Sequence, residues 1–437
     1  MNSIQFETAK MCLHVVTPIN IADGVTLRAK DYLYDARQRR VYFLNLHAWH
    51  WFVYKHKLLD KYEKYISNFK DRKSLLEWLK EQGYGLENLQ DVISSEAKAD
   101  AGLVDAEKKT LHDINRHIQQ SDGSLYVPGS SMKGVFRTAI LYKILQKRQD
   151  IKSKYWCYIK QQVDIIEKLM EEERKPRELQ IMPYSVIKKK KDQAAKETDK
   201  LIASLESKLL HTLRLKEDKE RNISNKNAVC SAMRGLQVSD TLRNGAETWK
   251  DSYCSAMRGL QVSDTYASRN MQTAILQKVD GGFDKFGKAS PNKLPIFREC
   301  MLPEAELFFD VKIEKAIMST IGINGVDDLL KATHSFFAAV TDLLQQAFGK
   351  EYQEAFQGVT DGNMFLGGNT GFLSKTLLAM LAPDKDTAKN TIKVLLDKSF
   401  KTHKHLLRDK VIAPRTLKCT NYNGKLMLMG VAEVRKV

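Results

Sequence analysis

Apolar and polar side chains alternate along 307–313, with Leu307, Phe309, Val311 and Ile313 set against Phe308, Asp310 and Lys312. A period of two is that of a strand with one face buried, and Leu302-Pro303-Glu304-Ala305 supplies the turn before it. The same signal predicts a strand over 11–16, a hairpin from Tyr32-Leu33-Tyr34 to Val41-Tyr42-Phe43-Leu44, and strands near 111–118 and 125–127. Elsewhere the period lengthens to that of a helix. Trp49, Phe52, Val53, Leu58 and Tyr62, then Leu75, Leu76 and Leu79, suit amphipathic helices covering one sheet face. Trp156, Ile159, Val163, Ile166 and Met170 recur every three or four residues in a stretch dense in both charge signs. Leu329, Leu330, Phe336, Phe337, Val340, Leu343 and Leu344 give one long helix whose aromatics are core, not a base-stacking ladder.

Strands with helices on one face make the fold α+β, and 437 residues are enough for two units with substantial cores. The pattern divides the chain into 1–146, a charged helical insertion over 147–226, and a second α+β unit over 227–437. The run Lys188-Lys189-Lys190-Lys191 has no interleaved aromatics, so it reads as a solvated segment.

Charge changes the picture by pointing to a partner. Seventy Lys and Arg against fifty-three Asp and Glu give a formal charge of +17 and a pI near 9.3, which favours a polyanion. No apolar run approaches the roughly 18 residues that span a bilayer, and the first residues lack the pattern of a signal peptide. No membrane partner is expected, and the expected location is the cytoplasm. The cysteines, Cys12, Cys157, Cys230, Cys254, Cys300 and Cys419, form no C-x-x-C pair. His47/His50 and His403/His405 lack partners at ligand spacing, so neither metal nor cofactor is expected.

Candidate chemistry centres on Leu125-Tyr126-Val127-Pro128-Gly129-Ser130-Ser131-Met132-Lys133-Gly134-Val135-Phe136-Arg137, read as strand, tight turn and abrupt helix start. First-turn N–H groups have no intrahelical acceptor, Ser130 or Ser131 can cap, and Lys133 and Arg137 share a helical face. A phosphate would fit between Gly129 and Gly134. Walker A requires Gly directly before Lys, where Met132 stands, and the S-x-x-K of penicillin-binding enzymes requires a Lys-Thr-Gly that is absent. A second glycine-rich turn, Gly367-Gly368-Asn369-Thr370-Gly371, precedes a helix expected near Ser374-Lys375 and repeats the logic. Two such turns, one per half, suggest a groove across both.

The first segment resembles the Pro-Gly-Ser-Ser-x-Lys-Gly signature of RAMP proteins, RNA-binding subunits of CRISPR effector complexes, and more closely the Csm-type subunit capping the type III-A complex. Thr17-Pro18-Ile19-Asn20, Gly259-Leu260-Gln261-Val262-Ser263-Asp264, Leu294-Pro295-Ile296-Phe297-Arg298-Glu299, Leu366 with the second turn, and Ala413-Pro414-Arg415-Thr416-Leu417-Lys418 with Met429-Gly430 follow in the family's order. Asn20 stands where the family often has His. The resemblance implies two ferredoxin-like domains and a non-catalytic subunit that holds the 3′ portion of the guide RNA (crRNA) and caps the filament. It also implies target RNA, a repeated backbone subunit and a small helical subunit as partners. Arg258, Arg415 and Lys418 would then line the groove. The alternative is a catalytic RAMP nuclease with His14, His112 or His117 as general base.

One feature is a duplication. Residues 230–241 recur identically as 254–265, 24 positions on. Two copies do not make a solenoid. Only the second runs on into the later motifs, so it is expected to hold the family position, with Arg258, and the first to be an extension.

Overall fold

The computed structural model describes residues 5–68, 70, 73–100, 111, 113–120, 123–214, 229–240 and 273–437. Along the chain run β1 (Phe6–Val15), β2 (Ala22–Leu27), β3 (Tyr32–Asp35), β4 (Arg40–Leu44), β5 (Ile93–Ala99), β6 (Ile114–His117), β7 (Leu213–Arg214) and β8 (Val229–Cys230). After these come β9 (Leu236–Val238), β10 (Thr273–Phe283), β11 (Ala289–Met301), β12 (Glu306–Glu314), β13 (Met364–Phe365), β14 (Leu417–Tyr422), β15 (Lys425–Leu428) and β16 (Val431–Lys436). The helices used below are α1 (Leu46–Lys55), α2 (Leu59–Ser67), α3 (Leu75–Glu81), α4 (Gly129–Lys147), α5 (Gln149–Arg174), α6 (Tyr184–Leu210), α7 (Lys315–Met318) and α8 (Val326–Phe348).

Alternation in β12 does what its period requires: Leu307, Phe309, Val311 and Ile313 are buried. They face a core completed by Met132, Phe136, Ala139 and Ile140 of α4 and by Leu329, Phe336, Phe337 and Val340 of α8. The first sheet has the order β13-β16-β1-β12-β9. Followed along the chain, β1, α4, β9, β12, α8 and β13/β16 trace a βαββαβ unit whose first strand lies between its third and fourth, the ferredoxin-like arrangement. The second sheet runs β2-β6-β11-β10-β5-β4-β3, with β14 and β15 attached through β10. Helices α1 to α3 cover Leu33 of this sheet with Trp49, Phe52, Val53, Leu75, Leu76 and Leu79. The chain is α+β and ferredoxin-like, as expected.

Three expectations need revision. The boundaries 1–146 and 227–437 do not separate the sheets: β1 pairs with β12 and β16, and β5 and β6 pair with β10 and β11. Each sheet therefore draws strands from both sides of the insertion, whose α5 and α6 form the helical pair. Residues 125–127 make only an isolated bridge, Leu125 to Gln119, in place of a strand.

The third revision concerns the duplication. The first copy is not an extension, because its 236–238 segment is β9, paired to β12 with Leu236 opposite Ile313 and Val238 opposite Val311. Ala232, Met233 and Leu236 are buried, and a Cβ on Gly235 would come within 2.7 Å of Ile317 Cγ2. The second copy, with Arg258, lies outside the described residues.

Candidate nucleic-acid interface

The Gly129 turn is built by close backbone approach. A Cβ at Gly129 would stand 2.3 Å from Val238 O, so glycine lets the chain beyond β9 cross the start of α4. Gly129 N–H donates to Asp240 Oδ1 at 2.6 Å, and Lys133 Nζ donates to Leu236 O at 2.6 Å. Burial pushes the Lys133 pKa down. The serines do not cap this helix: Pro128 is the cap residue, and no side chain bonds there. Ser130 and Gly134 are exposed, and Ser131 is half-buried with its N–H on Pro128 O at 2.9 Å. Arg137 pairs with Glu206 at 2.6 Å on the surface. The anion expected here is thus supplied internally, by Asp240 on the first repeat copy.

At the second turn several distant segments converge. Gly367 has φ +89°, and a Cβ on it would lie 2.4 Å from Asn20 O; Gly368 N–H donates to that carbonyl at 2.6 Å. Leu366 N–H reaches Gly430 O at 2.7 Å, and Gly430 N–H reaches Pro18 O at 2.9 Å. Asn20 is fully buried and ties the group together, its Nδ2 donating to Glu299 O at 2.7 Å and its Oδ1 accepting from Arg298 Nη1 at 3.1 Å. The expected helix after this turn is a single 3₁₀ turn, Leu373–Lys375, then a short helix over Leu378–Leu381.

Cations collect around this frame. A Cβ on Gly368 would sit 3.0 Å from Arg298 Nη1, and one on Gly371 would sit 3.5 Å from Lys418 Cγ. Lys418 stands opposite Asp280 in the β10–β14 ladder and bonds its carboxylate at 2.9 Å, with Lys278 Nζ 3.8 Å from the same oxygen. Burial first, then the Lys418 ammonium, holds the Lys278 pKa below its ordinary value, and Arg298 adds to the repulsion. Lys375 is an exposed residue, yet burial around its ammonium and then the Arg298 guanidinium lower its pKa. Arg298 Nε and Asn369 Nδ2 are buried without a hydrogen-bond partner among the described residues. Arg298 therefore presses on both Lys278 and Lys375, and Lys418 on Lys278, around a glycine turn, with the Asp280 carboxylate within reach of Lys278 and Lys418. Such a cluster is relieved by an anion.

The structure thus gathers Gly367, Gly368, Asn369, Gly371, Lys375 and Lys418 at one place. Arg415 is committed elsewhere, to the fully buried Asp409 at 2.8 Å, which also bonds His405 Nδ1 at 2.7 Å. Lys278 and Arg298 are not among the site residues to which the sequence points. Arg298 could have been found from its Phe297-Arg298-Glu299 motif; Lys278 carries no local signal. Of the general-base candidates, His117 is fully buried, pushed down to about 4 by that burial, and His112 lies outside the described residues. His14 is half-buried between Glu304 at 3.3 Å and Glu433 at 4.0 Å. Among the described residues no group of three or more potential ligands could hold a metal, and no helix is long and apolar enough to cross a membrane.

The family model of the RAMP superfamily matches residues 12–372. The chain is 22% identical over 445 aligned residues to the CRISPR system Cms protein Csm5 of Mycobacterium tuberculosis, covering 98% of this chain and 96% of that one. It is 23% identical over 143 residues to the Csm5 protein of Enterococcus italicus, a match spanning 29% of this chain and 41% of its relative. Among solved structures, a chain of a Csm-crRNA-target RNA ternary complex of a type III-A CRISPR-Cas system superposes with a TM-score of 0.57 at 17% identity, over 98% of this chain and 100% of that chain. Csm5 of T. onnurineus superposes with a TM-score of 0.52 at 17% identity, over 97% and 99%. With a family match across most of its length and the fold of Csm subunits, the chain belongs to the RAMP superfamily.

Proposed function

We propose that this chain is a non-catalytic RNA-binding subunit of a type III-A CRISPR effector complex, holding the 3′ portion of the guide RNA and capping the backbone filament. The observation that carries the RNA reading is the gathering of Lys278, Arg298, Lys375 and Lys418 at the glycine turn of 367–371, with Arg298 against Gly368, Lys418 against Gly371, and Arg298 acting on both Lys278 and Lys375. Backbone N–H groups and fixed cations recognise phosphate without reading bases, which suits a subunit that must accept any guide sequence. Its superposition on a chain of a Csm-crRNA-target RNA complex supports guide RNA, target RNA and the other Csm subunits as partners. The capping position rests on similarity to Csm5 relatives along nearly the whole chain.

Fluorescence anisotropy with a labelled single-stranded RNA tests the site. Lys375→Glu and Arg298→Gln are each expected to weaken binding at least about tenfold, the worth of one charge-assisted bond to phosphate. Wild-type affinity in both variants contradicts the assignment. Purified chain is also expected to leave labelled repeat RNA intact; cleavage that disappears in His14→Ala would establish the nuclease instead.

A further inference from the structure

The edge of the first sheet contains a slot filled by residues 230–240. Its contacts are specific. Leu236 and Ala232 are fully buried, Ser239 N–H donates to Asp310 O at 3.0 Å, and Asp310 N–H donates to Ser239 Oγ at 2.8 Å. Asp240 accepts from Gly129 and Leu236 O from Lys133. Every side chain making these contacts recurs 24 positions on, as Ala256, Met257, Gly259, Leu260, Ser263 and Asp264. Nothing in the slot distinguishes the two copies by contact. The flanking bridge of Val229 to Arg214 uses main-chain groups, which Tyr253 before the second copy also offers.

Chain connectivity does not choose strongly either. With the first copy seated, the connections are 215–228 and 241–272; with the second they are 215–252 and 265–272. Closure cost grows with the logarithm of loop length, so the two arrangements differ by only about twofold in weight. Exchange requires residues 229–240 to leave the slot together, a local opening at the sheet edge where the paired strand itself, β9, is three residues long.

We propose that the two copies share this slot, so that the chain occupies two registers 24 residues apart. In one register the long connection follows the edge strand and leads to β10. In the other it precedes the edge strand and follows α6. Excising 230–253 or 242–265 yields the same polypeptide, and that single-copy chain has one register.

The test places a carboxylate where Leu236 is buried. In the full chain, Leu236→Asp alone and Leu260→Asp alone are each expected to keep Tm within about 2 °C of the parent, because the intact copy takes the slot. The double variant, and Leu260→Asp in the single-copy chain, are expected to lose several degrees or fail to fold. A single substitution as damaging as the pair would show that one copy alone can seat, and an undamaged double variant would show that the slot needs neither; each overturns the proposal. Hydrogen exchange supplies a direct readout, since flanking residues distinguish the peptides. In the Leu236→Asp chain the amides of 260–262 are expected to be protected and those of 236–238 free. Rapid exchange at 260–262 in that folded variant contradicts sharing.

Discussion

The backbone N–H of Gly129 donates to Asp240 Oδ1 at 2.6 Å, so the anion at the start of α4 is one of the chain's own carboxylates. The signature turn thereby joins a helix to the edge of the first sheet.

That arrangement makes opposite predictions for neighbouring residues. Gly129→Ala drives a Cβ against Val238 O and is expected to cost about 1–3 kcal/mol. Ser130→Ala and Ser131→Ala remove no cap and are expected to stay within about 0.5 kcal/mol of the parent. Denaturant unfolding checks both; a loss of about 1 kcal/mol at either serine would restore it as a cap.

Arg415 is expected to matter for stability more than for RNA. Removing it leaves Asp409, fully buried, with His405 as its remaining side-chain partner among the described residues. Arg415→Ala is expected to lower stability by about 1–3 kcal/mol while RNA affinity measured on the folded fraction changes less than about twofold. Lost affinity with unchanged Tm would return Arg415 to the binding surface.

Glu299 predicts a pH dependence with a definite sign. Burial raises its folded-state pKa to about 7, above the ordinary 4.5, so the folded protein holds a proton that the unfolded chain releases. Its favourable contribution is complete below about 4.5 and is lost as pH rises through about 7. His117, lowered to about 4, acts oppositely: its contribution is complete above the ordinary 6.5 and is lost as pH falls toward 4. In Glu299→Gln the alkaline loss should vanish, so Tm relative to the parent should rise between pH 4.5 and 7.5. A pH-independent difference would contradict the buried, protonated carboxyl.

Element type was legible wherever one period dominated. The alternation of 307–313 became β12, and the aromatics of α8 became core as expected. Pairing was not legible, because a period states which face is buried and not what covers it. Nothing local to Met11 names Phe309 as its partner across the sheet. The helix start at Gly129 was visible, but the ligand of its N–H group lay on a segment more than a hundred residues away, present in two identical copies. The second turn was legible from its glycines, while Lys278 looked like any solvated strand cation until folding set it beside Arg298 and Lys418.

The central claim is that the cation cluster at the second turn holds RNA backbone. It is tested most directly by the salt dependence of single-stranded RNA affinity in the parent, in Lys278→Met/Lys375→Met, and in Lys133→Met. For the cluster variant, the slope of log affinity against log salt is expected to fall by about 0.7 for each phosphate that is no longer neutralised, whereas Lys133→Met, whose ammonium is bonded to Leu236 O, should keep the parental slope. A parental slope in the cluster variant, with the reduced slope appearing in Lys133→Met, would move the RNA to the first turn and contradict the account.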